Sequence, residues 1–346
     1  MSVRAIVLPR THGPARALWL LLGAAFVCTL VFALALACGS NPIPWADLPR
    51  LLFAPDASVE ADIVHRLRLP RAVAAATTGA LLSMAGALMQ VLVRNPLADP
   101  YVLGLSGGAA LGALSAIALG TAAWTVNLGA FVGALVATFA VFGLAGPDLG
   151  RVERVSAADP SARLLLTGVM LSALAMAGVS LILSVAPVER LRSMVFWMLG
   201  DLSGAVASVP ALAAVPLLAL LALPFGRELN LLLRGPGPAL LLGVDVRRLR
   251  LLIYAAASLA AALSVNTAGT IGFVGLVVPH ALRLLIGNDQ RVLVPASGLA
   301  GAAFLLAADT VARTLLAPQQ LPVGVVTAMV GAPIFLWLLS RRSVTR

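Results

Sequence analysis

Ten separate runs of about 20 apolar residues divide this chain, and that division limits its fold more than any other feature. They fall near 18–38, 71–93, 102–122, 126–145, 163–186, 208–225, 249–267, 271–287, 292–314 and 323–340. At a rise of about 1.5 Å per residue, each run is long enough as a helix to cross the hydrocarbon of a bilayer. Of the 346 residues, 60% are hydrophobic and 11% charged, against about a quarter charged in a soluble domain. No single water-soluble core can hide that much apolar surface. Lipid offers no hydrogen bonds, so each crossing must satisfy its own backbone, which predicts an all-α fold. The expectation is a polytopic membrane protein with about ten transmembrane helices, forming one transmembrane domain over residues 1–346.

Charge then orients the bundle. All 24 basic residues are arginine; the chain has no lysine. With ten crossings, both termini lie on one side. Placing them inside puts Arg4, Arg10, Arg16, Arg94, Arg151, Arg154, Arg163, Arg227, Arg234, Arg247, Arg248, Arg250, Arg283, Arg291, Arg341, Arg342 and Arg346 on the cytoplasmic face. Outside remain Arg50, Arg66, Arg68, Arg71, Arg190, Arg192 and Arg313. Seventeen against seven satisfies the positive-inside rule, so cytoplasmic termini are expected. The net charge of +10 therefore reads as topology signal and headgroup anchoring, not as a nucleic-acid surface. Without lysine no Walker A loop can form, so this chain is not expected to be its own P-loop ATPase.

Cys28 and Cys38 share the first apolar run and offer neither a disulfide framework nor metal-ligand spacing. That run, preceded by arginines, has the look of a signal peptide, but it is long enough to span, and an uncleaved first helix is expected. Two connecting segments stand out. The outer one, 39–66, holds four acids. The cytoplasmic one, 227–250, is punctuated by Gly235, Pro236, Gly237 and Pro238, after which Ala239 to Leu242 is expected to form a short surface helix.

Small residues cluster at Gly79, Ala80, Ser83, Gly86 and Ala87, and again at Gly104, Gly107, Gly108, Ala109 and Gly112. They predict close helix packing in lipid. RNPLADP (94–100) reads as a rigid inner turn, stopped by Pro96 and Pro100. His280 and His65 are isolated and are expected to be structural; metal binding and catalysis by side chains of this chain are not expected. Asp309 and Arg313, four apart on one helix, predict a local ion pair. Arg68, Arg71 and Arg313 lie on the outer face against the topology bias. They suit either a docking protein's acids or headgroup snorkelling.

Longer motifs identify a family. RLPR (68–71), GALLSMAGALMQVLVRNPLADPYVLGLSGGA (79–109), WMLG (197–200), LLLG (240–243), GTIGFVGLVVPHALR (269–283), AADTVAR (307–313) and LPVGVVTAMVGAPIFLWLL (321–339) occur in this order. Together they resemble the FecCD permeases of ABC importers for ferric siderophores, heme and cobalamin. The resemblance implies the type II ABC importer permease fold, a homodimer, two cytoplasmic ATPase subunits that bind ATP and Mg, and a periplasmic binding protein. It implies no cofactor on this chain. By the same resemblance Arg68, Arg71 and Arg313 meet acids of the binding protein. Arg234, Gly235, Ala239, Leu242 and Gly243 belong to the segment that couples to the ATPase, and Ser161 and Ala162 narrow the inner mouth. Two departures are evident: Gln320 stands where the family often has an acid, and GPGP (235–238) replaces a segment that usually reads glycine then glutamate. The expected cargo is an iron chelate, heme or ferric siderophore, with cobalamin as the alternative. A secondary transporter would need ionisable residues near the midplane, which are not evident here; a channel or purely structural subunit ranks third.

Overall fold

A computed structural model describes residues 13–39, 41–54, 58–149 and 160–343. Arg4, Arg10, Arg151, Arg154 and Arg346 of the topology argument lie outside the described residues. Among the described residues there are fourteen α-helices: α1 (Pro14–Ala37), α2 (Leu48–Phe53), α3 (Val59–Asp62), α4 (Leu69–Leu92), α5 (Leu105–Ala118), α6 (Ala123–Leu149), α7 (Pro160–Val185), α8 (Val188–Met198), α9 (Val209–Leu232), α10 (Pro236–Leu241), α11 (Val246–Ala268), α12 (Val274–Ile286), α13 (Gln290–Thr314) and α14 (Val323–Ser343). No strand occurs among the described residues. Among the described residues seven helical stretches are long and apolar enough to cross a membrane, and α5, α12 and α14 supply three shorter apolar helices. The protein is an all-α polytopic membrane protein.

Helix starts follow local chemistry. Ser58, Ser208, Asp245 and Asp289 cap α3, α9, α11 and α13 by accepting a backbone N–H, and proline occupies the first turn of α1, α4, α9 and α10. Between α3 and α4 the chain stays helical through a π segment, Ile63–Arg68, in which Leu69 N–H reaches back to Val64 O. Wider turns of this kind gather at functional sites, and this one carries Arg68.

Helix α4 is the hub, packed between α13, α11, α12 and α9. Of its most apolar stretch 89% is buried, against 17% for α1 and for α7. Glycine permits this closeness. A Cβ at Gly79 would overlap the carbonyl oxygen of Gly301 on α13, and one at Gly86 would overlap that of Gly275 on α12. The same close approach recurs between α5 and α6, where Gly108 faces Gly133 and Gly112 faces Gly129. Small residues four apart let two helix backbones touch, so dispersion stands in for a hydrophobic drive that lipid cannot supply. The small residues read from sequence as packing positions are therefore close-contact positions.

Candidate functional site: polar clusters at the two ends of the bundle

At the N-terminal end of α4, three arginines far apart in sequence converge. Arg71 donates from Nε and Nη2 to Asp309 Oδ1 at 3.0 and 2.8 Å, and from Nη1 to Gln320 Oε1 at 2.6 Å. Arg313 donates from Nε to Asp309 Oδ2 at 3.1 Å, from Nη2 to Ala35 O at 2.9 Å and from Nη1 to Cys38 O at 3.3 Å. Arg68 donates from Nη1 to Leu36 O and Ala37 O at 2.7 and 2.9 Å, and from Nη2 to Asn41 O. Arg68 and Arg313 thus bind carbonyls at the C-terminus of α1, which lack partners within that helix and carry its negative dipole end.

Arg68, Arg71 and Asp309 are 6%, 9% and 2% exposed, and Arg313 is half-buried. One carboxylate, bonded to two of the three guanidinium groups, leaves the cluster a surplus of two positive charges. All three arginines line one concavity of 410 Å³, together with Pro70, Gln320 and the loop at Ser203–Val206. Arg66 lines the same concavity but is exposed and pairs with Asp62, at 2.9 Å on the next helical turn. The expected Asp309–Arg313 pair is present. Its third member, Arg71, lies 238 positions from Asp309; sequence spacing carries no signal for that contact. Nor did it reveal Arg190, which closes the C-terminus of α5 by donating to Ala118 O. At the Gln320 departure, Arg71 donates to a neutral amide oxygen, so the contact is a hydrogen bond and not a salt bridge.

The opposite end holds the RNPLADP turn and α10. Asn95 Oδ1 accepts Leu97 N–H at 3.0 Å, and Asp99 Oδ1 accepts Tyr101 N–H at 2.8 Å, so two side chains shape the turn. Next to it, a Cβ on Gly235 would lie 3.9 Å from Arg94 Nη1. Gly235 (φ +114°) and Gly243 (φ +82°) bracket α10 in backbone conformations that other residues rarely adopt. The short helix begins at Pro236, earlier than the expected Ala239, because proline is pre-set for the first helical position. Within it Ala239 is fully buried, while Arg234, Leu240, Leu241 and Leu242 are exposed, Leu241 at 89%. Ser161 and Ala162 fall in the first turn of α7; their side chains lie outside the described residues.

Between these ends, a concavity of 540 Å³ opens beside α7 and α14, lined by Tyr101, Ser172, Met176, Met198, Thr270 and Met329 among others. Among the described residues no group of three or more His, Cys, Asp or Glu could hold a metal ion. Cys28 and Cys38 are both free.

Comparison with known proteins places these features. The model of the FecCD transport family matches residues 27–341. The cobalamin import system permease protein BtuC of Halobacterium salinarum is 43% identical over 315 residues, covering 88% of this chain and 82% of that relative. The hemin transport system permease protein HmuU of Yersinia pestis is 41% identical over 290 residues, 81% of this chain and 84% of its own. A solved structure described as an inward-facing conformation of a metal-chelate type ABC transporter superposes with a TM-score of 0.80. It is 29% identical and covers 93% of this chain and 99% of its own.

Proposed function

The chain belongs to the FecCD transport family of ABC importer permeases, and from that premise we propose that it is the membrane-spanning subunit that carries an iron chelate, heme or a ferric siderophore, from periplasm to cytoplasm. Cobalamin is an equally supported cargo, because relatives of like similarity are named for cobalamin and for hemin. The observation that carries the reading is the separation of two unlike faces by the full length of α4: an arginine cluster at one end and exposed leucines around α10 at the other.

In this proposal the arginine cluster receives the periplasmic binding protein. Arg68, Arg71 and Arg313 are preorganised by Asp309 and by the α1 carbonyls, so they lose little side-chain freedom when an acid enters the 410 Å³ concavity. Their surplus charge attracts that acid and sets its register. On the cytoplasmic side, Arg234, Gly235, Ala239, Leu242 and Gly243 present α10 to an ATPase subunit. Two ATPases, each with ATP and Mg, serve a homodimer of this chain, whose two-fold path runs beside α7 and α14. Ser161 and Ala162 narrow its inner mouth. The chain itself is not an enzyme and holds no cofactor; it sits in the inner membrane with both termini in the cytoplasm. Closure of the ATPase dimer shifts α10 and rocks the paired helices between outward- and inward-open states.

Reconstitution into proteoliposomes with the ATPase and binding protein tests this. ATP-dependent uptake of heme, a ferric siderophore or cobalamin is expected, and uptake without the ATPase would reject it. Docking has its own test. Gln320→Glu introduces a second carboxylate beside Arg71 and halves the surplus charge while every arginine stays. Weaker association with the binding protein, most evident at low salt, is expected; unchanged affinity at all salt concentrations would remove the arginine cluster from docking.

A further inference from the structure

The inner end of α13 holds a second polar cluster that the docking and coupling residues leave unused. Asn230, near the end of α9, donates from Nδ2 to Asp289 Oδ1 at 2.9 Å, and its Oδ1 accepts the backbone N–H of Gln290 at 2.9 Å. One amide is thus engaged at both its ends, which fixes its orientation. Asp289 is the N-cap of α13 and also accepts Arg291 N–H at 3.2 Å. Asp289 and Gln290 are buried. The helices meet closely here: a Cβ on Gly226 would lie 3.4 Å from Arg291 Cα. From Asn230 the chain runs straight into the coupling helix. Arg234 N–H and Gly235 N–H bond back to Leu231 O and Leu232 O, both at 3.0 Å, so α10 is tied to the end of α9 by a tight turn.

The other end of the same helix carries Asp309 and Arg313. Asp289 and Asp309 are twenty residues apart, about 30 Å along a helix, which matches the thickness of the hydrocarbon core. Between Arg291 and Asp309 the only polar side chain of α13 is Ser297. The middle of the helix meets its neighbours through small and apolar groups, whose attraction is non-directional. Its ends are held by directional hydrogen bonds.

We propose that Asn230 and Asp289 are positioning residues that clasp α10 and α9 to α13, making α13 the rod through which docking at the arginine cluster stimulates the ATPase. The clasp rests on the permease reading above and adds to it a route between the two faces. Pro295 gives up one backbone bond in the second turn of α13 without interrupting the helix, so the rod is continuous from clasp to arginine cluster.

The test uses the complete transporter, with ATPase and binding protein, in proteoliposomes. Asp289→Ser keeps a good N-cap but is too short to reach Asn230, whereas Asp289→Asn keeps both the cap and the acceptor. Stimulation of ATP hydrolysis by the binding protein is expected to fall by about fivefold or more in Asp289→Ser, the lower edge of ordinary allosteric coupling. It should persist in Asp289→Asn. Asn230→Leu, which removes both bonds at similar volume, should match Asp289→Ser, with the basal rate and the binding-protein affinity unchanged. Wild-type stimulation in Asp289→Ser would overturn the clasp. So would a loss matched by equal losses of basal rate and melting temperature, since that pattern marks a merely structural contact. Absence of stimulation in the wild-type transporter would remove the permease reading itself, and the clasp with it.

Discussion

Asp309 shows how one side chain can decide the state of several others. It is almost wholly buried and accepts hydrogen bonds from both Arg71 and Arg313. Removing one partner of a buried ion pair strands the other charges, so Asp309→Ala should destabilise the protein by about 3–5 kcal/mol, measured as thermal unfolding in detergent. Arg66→Ala breaks only an exposed pair and should cost less than about 1 kcal/mol in the same assay. Asp99 offers a pH signature. The residue keeps some solvent-facing surface, but its carboxyl is enclosed by protein, and burial pushes its pKa up to about 6 against a partial offset from the Tyr101 N–H. The raised value means that the folded protein holds this proton more tightly than the unfolded chain does. The contribution is therefore most favourable below about pH 4 and is lost as pH rises through about 6. Asp99→Asn keeps the acceptor for Tyr101 N–H, and the dependence of melting temperature on pH should flatten between those values. An unaltered pH profile would contradict this assignment.

Among the elements, glycine contacts set the tolerances. Gly86→Ala would push a methyl into the carbonyl of Gly275 and separate α4 from α12, at an expected cost of about 1–3 kcal/mol. Gly143 on α6, where a Cβ meets nothing within 4 Å, should accept alanine freely, and melting curves of the two variants side by side check the difference. The helical class was legible in advance because lipid leaves a spanning backbone one economical solution and twenty-residue apolar runs mark where it applies. Glycines four apart, such as Gly108 with Gly112, likewise signalled close packing. Less of the polar clusters could be read. Local pairs such as Asp309 with Arg313 follow from helical periodicity, but Arg71 with Asp309 and Asn230 with Asp289 join elements 238 and 59 positions apart. Periodicity is silent across such distances. Helix α8 also escaped notice: eleven residues with Glu189, Arg190 and Arg192 near its start are too short and too charged to register as a span. The six-residue π segment ahead of α4, where Leu69 N–H reaches back to Val64 O, is announced by no residue type.

For the molecule as a whole, the arginine distribution predicts which way the bundle faces. A single reactive cysteine placed at Arg346 in a background lacking Cys28 and Cys38 should be labelled from the cytoplasmic side, and one at Thr121, between α5 and α6, from the periplasmic side. The reverse pattern would invert every assignment of docking and coupling faces. Cargo selection is expected to lie elsewhere in the assembly. The concavity beside α7 and α14 offers small hydroxyls, thioethers and backbone but, among its lining residues, no charged side chain that would read a particular chelate.

The bare-backbone seam of α4 carries one last implication. Where Gly79 meets Gly301 and Gly86 meets Gly275, there is no side chain to act as a cushion, and an axial slip of even a fraction of a turn would drive carbonyl oxygen into main chain. That spine behaves as a fixed mullion. Whatever opens and shuts must be hung around it, on the shallowly seated α7, like a shutter swinging from a frame that turns only in one piece.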